Sequence, residues 1–269
     1  MNTWRTAFIT GAGSGIGRRM AELLMAEGVS VAVFDRVVAA ETKADLNRIA
    51  AQQDGVSCCY FQADVTDAEG LAEQVRVALA QLGAPDLAIN CAGIQVAKPF
   101  EELSAEEFER VVSVNLMGSR NFAAAVLPTM KAGAQFSFIA SLAGLVPSYC
   151  YAAYNASKYG VVGLAGALRL EYIARGIEIS VVCPPEVETP LVVEERKTMT
   201  KVGAKLKSTA GTLQLGPACD SILRQLRGRK YLVIPGFRAR IVARISAWMP
   251  GVLRWFSERI VISGTNRAD

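Results

Sequence analysis

The sequence predicts a doubly wound, Rossmann-like parallel α/β sheet with helices on both faces, in a single domain with a C-terminal helical extension. Three observations predict it. Short β-branched and aromatic runs alternate with amphipathic stretches at about 25–30 residue intervals as far as residue 185. A glycine-rich turn, TGAGSGIG (10–17), joins the first run to the first helical stretch. No low-complexity linker or long-period repeat divides the 269 residues.

Each element has its own signal. TAFIT (6–10) is the first strand, and Met20, Leu23 and Leu24 give the next segment a helical apolar stripe that Gly28 can close as a C-cap. VSVAVFD (29–35) is the second strand, followed by a polar helix over 40–53. SCCYFQAD (57–64), a helix from Ala68 to Leu82 and DLAINCAG (86–93) continue the alternation. Ser104 and Glu107 fit a capping box at the start of a helical region near 104–125. QFSFIAS (135–141), a helix around 152–175 and IEISVVCPP (177–185) complete the pattern.

Composition narrows the chemistry. The chain has no histidine, which excludes Ser-His-Asp and Cys-His catalysis and every His-ligated zinc. Its six cysteines show no C-x-x-C spacing, so neither a disulfide framework nor a metal site is expected. No charge-free run offers the roughly 20 apolar residues of a membrane span. The start, MNTWRTAFITGAG, lacks the tripartite pattern of a secretory signal, and a cytoplasmic location is the expectation.

The glycines at 11, 13, 15 and 17 allow a tight turn that brings peptide N–H groups close to an anion at a helix N-terminus. A pyrophosphate suits that position. Asp35 closes the second strand 20 residues beyond Gly15, where a carboxylate can accept from both ribose hydroxyls of an adenosine and repel a 2′-phosphate. NAD is therefore expected over NADP, although the neighbouring Arg36 could pair with a 2′-phosphate.

Four of the seven tyrosines crowd into YCYAAYNASKYG (149–160). Only Tyr154 has a lysine four residues later, Lys158, and positions i and i+4 share a helix face. An ammonium beside a phenol favours phenolate, so Tyr154 is expected to titrate below the usual tyrosine value and to exchange a proton with an alcohol or ketone.

With TGAGSGIG, Asp35, ADV (63–65), NCAG (90–93), VNLMG (114–118), Ser141 and YNASK (154–158) in this order, the chain resembles the short-chain dehydrogenase/reductase family over residues 4 to about 190. The resemblance implies a catalytic set of Asn115, Ser141, Tyr154 and Lys158. Tyr154 would be the general acid/base, Ser141 would polarise the substrate oxygen, and Lys158 would hold the nicotinamide ribose and lower the phenol's pKa. Asn115 would support a water that relays protons from Lys158. Cofactor contacts are implied for Gly11, Gly13, Ser14, Gly15, Ile16 and Gly17 in the loop, and for Asp35 and Arg36 after the second strand. Asp64 and Val65 would meet the adenine, Asn90, Ala92 and Gly93 would line the cofactor, and Pro184, Val187 and Thr189 would cover the carboxamide. The resemblance also implies a homodimer or homotetramer built on helices near 104–125 and 152–175. Cys91 stands where the family usually repeats Asn, which would remove a sheet-supporting hydrogen bond. Pro185 stands where Gly is usual, which would stiffen the cofactor loop.

The last third differs in charge. Residues 1–190 carry 14 basic against 20 acidic side chains, and residues 191–269 carry 15 against 5. Residues 191–215 fall where the family places its substrate lid. Beyond it, residues 237–269 form a basic amphipathic extension. Phe237, Ile241, Ile245 and Trp248 share one helical face, and Val252, Trp255, Phe256 and Ile260 repeat the idea beyond Pro250-Gly251. Such helices can pack on the domain or a neighbouring subunit, lie on an anionic membrane surface, or hold an anionic substrate handle. No nucleic-acid-binding module accompanies the charge, so no nucleic-acid partner is expected. The functional expectation is hydride transfer between NAD(H) and a secondary alcohol or ketone, with oily lid and tail residues favouring an apolar, steroid-like or long-chain substrate. The alternatives are an NADPH-dependent 3-oxoacyl reductase and, from another class, a non-catalytic dinucleotide sensor or scaffold.

Overall fold

The computed structural model describes residues 4–196 and 199–265. Through residue 187 the strands are β1 (Thr6–Thr10), β2 (Ser30–Asp35), β3 (Cys58–Gln62), β4 (Leu87–Asn90), β5 (Gln135–Ile139), β6 (Glu178–Val182) and β7 (Glu186–Val187). The helices between them are α1 (Gly15–Ala26), α2 (Ala40–Ala50), α3 (Ala68–Leu82), α4 (Ala105–Val112), α5 (Gly118–Val126) and α6 (Ala152–Tyr172). The chain continues through α7 (Pro190–Arg196), α8 (Lys201–Ala210), β8 (Thr212–Leu213), α9 (Leu215–Arg227), β9 (Leu232–Val233), α10 (Phe237–Trp248) and α11 (Pro250–Thr265).

Seven strands pair in the order β3-β2-β1-β4-β5-β6-β9, all parallel. The order reverses between β1 and β4, and a crevice opens at the carboxyl ends of the strands there. Alternation along the strands sorts the core into two faces. One face carries phenylalanines: Phe34 meets Phe8 and Phe61, Phe122 of α5 bridges Phe34 to Phe136, and Phe136 meets Phe138, with these ring centroids 4.7 to 5.8 Å apart. Each fully buried ring contributes roughly 1.5–3 kcal/mol relative to an exposed one. The other face packs Ile9, Val31, Val33, Leu87 and Ile89 against Met20 and Leu24 of α1 and Ile222 and Leu226 of α9. A sheet covered on both faces is what parallel strands require.

Local signals explain several ends. Gly28, at φ 85°, lies one residue past the cap of α1. Ser104 and Glu107 form both bonds of the capping box on α4. The helical region expected near 104–125 is present, with a π-helical turn, Ser113–Met117, between α4 and α5.

The C-terminal stretch folds as two helices joined at Met249-Pro250. On α10 the buried residues are Ala239 and Ala243, and Ser246 Oγ donates to the Leu145 carbonyl at 2.9 Å. Of the stripe expected at Phe237, Ile241, Ile245 and Trp248, three residues face away from the domain, with Trp248 84% exposed, and Ile245 is half-buried. Small residues let α10 lie close with Val242 against the core, and Phe237 and Trp248 are left outside.

Candidate active site

A cavity of about 850 Å³ runs along the carboxyl ends of β1, β2, β4, β5 and β6. Gly11, Ser14, Gly15 and Ile16 form its floor beside β1, and Asp35, Arg36, Asp64 and Val65 lie at one end. Ala92, Gly93, Ser141, Tyr154, Lys158, Pro184, Val187 and Thr189 line the remainder. Four expected residues, Gly13, Gly17, Asn90 and Asn115, stand behind this wall instead of lining it.

The loop is shaped by contacts that leave no room for side chains. A Cβ on Gly11, at φ 66°, would lie 2.7 Å from the Ala92 nitrogen. The Gly13 N–H donates to Asp35 Oδ2 at 2.8 Å, so the carboxylate expected at the ribose also ties down the loop. Ser14 occupies the N-cap of α1 without a side-chain cap bond. The N–H groups and positive pole of this helix end suit an anion. These features fit the pyrophosphate and adenosine ribose of a nicotinamide dinucleotide.

Asn90 does different work from that expected. It is 2% exposed, accepts from Thr10 Oγ1 at 3.1 Å and donates to Ser119 Oγ at 2.7 Å, bridging β1, β4 and α5. Thr10 Oγ1 in turn accepts from the backbone N–H of Cys91 at 3.0 Å and of Ala92 at 3.2 Å. Thr10 and Asn90 thus bond this segment to the sheet with a cysteine at position 91. Beyond Pro185, β7 pairs with β8, and Glu188 N–H donates to the Leu213 carbonyl at 2.9 Å, so that loop is pinned to the strand after α8.

Asn115 sits in the π turn, where its amide donates to the Ile94 carbonyl and to Ser157 Oγ, both at 2.9 Å, and accepts from Ile94 N–H at 2.8 Å. The side chain therefore clamps the segment after β4 to α6, one residue from Lys158. π turns occur often at functional sites because they re-aim one residue within a helix. Asn115 therefore positions the wall behind Lys158, and the water-supporting role implied by the resemblance stays an expectation beside these bonds.

Tyr154, Lys158 and Ser141 meet at the cavity wall. Lys158 Nζ lies 5.6 Å from the Tyr154 ring centroid and donates to the Ile139 carbonyl at 3.0 Å. Burial pushes this ammonium down to about 8, against the opposing influence of Cys91 and Cys183. The phenol departs from expectation: desolvation raises Tyr154 above the ordinary tyrosine value, while the Ser141 hydrogen bond and the charge of Lys207 pull it down. Burial outweighs nearby charge at this position.

Lys207, on α8, is a residue the local motifs did not point to. Its ammonium lies 5.0 Å from the Tyr151 ring and bonds Glu195, whose other carboxylate oxygen accepts from Gln95 Nε2 at 2.5 Å. Glu195 is 6% exposed, so this network joins α7 and α8 to the segment after β4 through a buried carboxylate. If Lys207 tunes the phenol, Lys207→Met moves the rising limb of alcohol oxidation to higher pH, because removing a positive charge disfavours phenolate. Lys207→Arg should keep the limb in place. An unchanged limb in the methionine variant rejects the coupling.

The chain belongs to the short-chain dehydrogenase family, whose model matches residues 5–200. It is an oxidoreductase of that family. It is similar to a 3-dehydrosphinganine reductase of Arabidopsis thaliana, 32% identical over 251 residues, which span 91% of this chain and 74% of that protein. It is also 38% identical over 202 residues to cyclohexanol dehydrogenase of an Acinetobacter species, covering 74% and 79% of the two chains. A solved short-chain dehydrogenase from Mycobacterium paratuberculosis, bound to NAD, shares the fold with a TM-score of 0.78 at 22% identity, over 88% of this chain and 98% of that one.

Proposed function

We propose that the protein transfers a hydride reversibly between NAD(H) and an apolar secondary alcohol or ketone. One observation carries the reading: Ser141, Tyr154 and Lys158 converge on the same cavity that the glycine loop and Asp35 enter from its other end. When bound, the nicotinamide supplies or accepts the hydride. The protein's part is proton chemistry and orientation. Ser141 donates a hydrogen bond to the substrate oxygen and polarises it. Tyr154 gives its proton to that oxygen in reduction and takes it back in oxidation. Lys158, held by Ile139 and backed by the Asn115 clamp, keeps a positive charge beside both.

The substrate side is oily. Ile94, Val146, Leu206, Val242, Leu253 and Phe256 line it, which suits an apolar body with one polar oxygen. The likeness to a cyclohexanol dehydrogenase supports a secondary alcohol, and that to a 3-dehydrosphinganine reductase supports a reducible carbonyl. Turnover of alcohols and ketones of graded size, followed by NADH absorbance, tests the reading. No turnover of any of them would favour the non-catalytic alternative.

Asp35 supports NAD, since its carboxylate lines the end of the cavity and would oppose a 2′-phosphate. Arg36 favours the second reading, NADPH: its side chain is 70% exposed and 4.0 Å from Asp64, free to turn toward a phosphate. NADH is expected to give at least about tenfold higher kcat/KM than NADPH, and Asp35→Ser should shift that ratio toward NADPH by a similar factor. The ratio is the readout because Asp35 also anchors Gly13. A strong NADPH preference in the wild type would overturn the Asp35 argument and restore the 3-oxoacyl reductase reading.

A further inference from the structure

Helices α10 and α11 close one side of the substrate cavity and at the same time present an apolar face to the outside. On the inner side, Val242 of α10 and Leu253, Phe256 and Ser257 of α11 line the cavity. On the outer side, Phe237 is 69%, Trp248 84%, Val252 54%, Trp255 57% and Ile262 60% exposed. Phe256, at 44% exposed, belongs to both sides and marks the cavity's rim. Spacings of three and four residues place Val252, Trp255, Phe256, Arg259 and Ile262 along one stripe of α11.

The pair is fixed in this orientation. Ala239 and Ala243 seat α10 on the domain, and Ile260 is buried beneath α11. Gly264 lies so close to Val202 of α8 that a Cβ there would come within 2.6 Å of it. The exposed stripe is therefore the face left over after packing. Among the described residues no helix is long and apolar enough to cross a membrane, so this face can lie on a bilayer but not span it.

Charge selects the occupant. The two helices carry five arginines, at 238, 240, 244, 254 and 259, against one acid, Glu258. Arg259 stacks over the Trp255 ring at 5.2 Å, which places a guanidinium beside an indole on the apolar stripe. A second copy docked face to face would bring guanidiniums against guanidiniums, whereas anionic headgroups neutralise them. A second copy also has a different candidate surface, since Tyr159, Leu170 and Ile173 are exposed along α6 and its C-terminal turn. Tryptophan and arginine together suit the headgroup boundary.

We propose that the α10–α11 pair docks this protein on an anionic bilayer and sets the rim of the substrate cavity against the lipid, so that an apolar substrate passes from membrane to Tyr154 without crossing water. The docking stands on the surface alone, and the delivery of substrate rests on the alcohol–ketone reading above.

Full-length protein is mixed at low salt with vesicles of phosphatidylglycerol and phosphatidylcholine, or of phosphatidylcholine alone, and sedimented. It should pellet with the anionic vesicles, be released by salt, and shift its tryptophan emission to shorter wavelength. The double variant Trp248→Ala/Trp255→Ala and the charge variant Arg244→Glu/Arg259→Glu should each lose at least about tenfold in vesicle affinity. Neither changes a residue lining the cavity, so turnover of a small water-soluble substrate should persist. Wild type remaining in the supernatant, or variants pelleting like wild type, overturns the proposal. Lipid-free self-association abolished by the tryptophan changes overturns it in favour of a second copy. Vesicle binding without any turnover would leave docking standing and remove the function instead.

Discussion

Replacing Tyr154 with phenylalanine is expected to lower turnover by about 10²–10⁴-fold, the usual worth of a positioned general acid–base group. That range corresponds to roughly 2.7–5.4 kcal/mol of transition-state stabilisation. Phenylalanine keeps the ring, its packing and the 6.1 Å edge contact with Tyr151, and removes the hydroxyl, with the proton that the substrate oxygen needs and the bond to Ser141. Dinucleotide affinity should therefore stay close to wild type when followed by fluorescence titration. The control is Tyr159→Phe, an exposed tyrosine outside the cavity with glycine rather than lysine four residues on, which should keep wild-type turnover. Burial of the phenol sharpens the expectation. Because desolvation holds the phenol high, it is protonated near neutrality and ready to act as an acid, and alcohol oxidation should gain on ketone reduction as pH rises. Turnover surviving in Tyr154→Phe would mean that another group delivers the proton, and the catalytic reading of the cavity would fail.

What the sequence made legible was whatever local spacing encodes. The glycine turn, Asp35 and the Tyr154–Lys158 pair each lie within a few residues of a strand end or along one helix face, and the structure brings them to one cavity. The alternation of strands and helices was legible to residue 185 for the same reason. Asn90 shows the limit. Its motif pointed to the cofactor, but whether an amide faces a cavity or a sheet depends on Thr10 and Ser119, 80 and 29 residues away. The Gln95–Glu195–Lys207 network is less accessible still, since Gln95 and Glu195 are 100 residues apart and neither belongs to a periodic pattern. The π turn carries no composition signal, and β9 is too short to show alternation. The helix α9 differs: Ala218, Cys219, Ile222, Leu223 and Leu226 form a stripe of helical period that is present in the sequence. For the tail, periodicity marked a large apolar stripe on α10, most of which the structure leaves exposed. Direction of burial was decided by alanines, which a search for large apolar residues passes over.

The Gly17→Ala substitution, a single methyl group, is expected to disable the dinucleotide loop. Gly17 lies in the first turn of α1, and a Cβ there would fall 2.3 Å from the Gly11 carbonyl oxygen and 2.8 Å from its carbon. Both atoms belong to backbone, so no side chain can rotate away. Either α1 or the β1 end must move, and that separates the helix N-terminus from the turn that aims its N–H groups. Overpacking of this kind costs about 1–3 kcal/mol, which lowers Tm by roughly 2–4 °C per kcal/mol in a chain of this size. The loss in dinucleotide affinity should exceed the loss in stability, at least about tenfold, because the phosphate site depends on the two elements staying in register. Gly216→Ala supplies the contrast. It is the same chemical change in the first turn of α9, with nothing within 4 Å of the new methyl group, and alanine's higher helix propensity should leave stability equal or raise it by up to about 1 kcal/mol. Opposite signs for one substitution at two helical glycines follow from what each Cβ would meet. Equal Tm and equal dinucleotide affinity for Gly17→Ala and wild type would show that α1 does not press on Gly11 in solution, and the phosphate loop would have to be built another way.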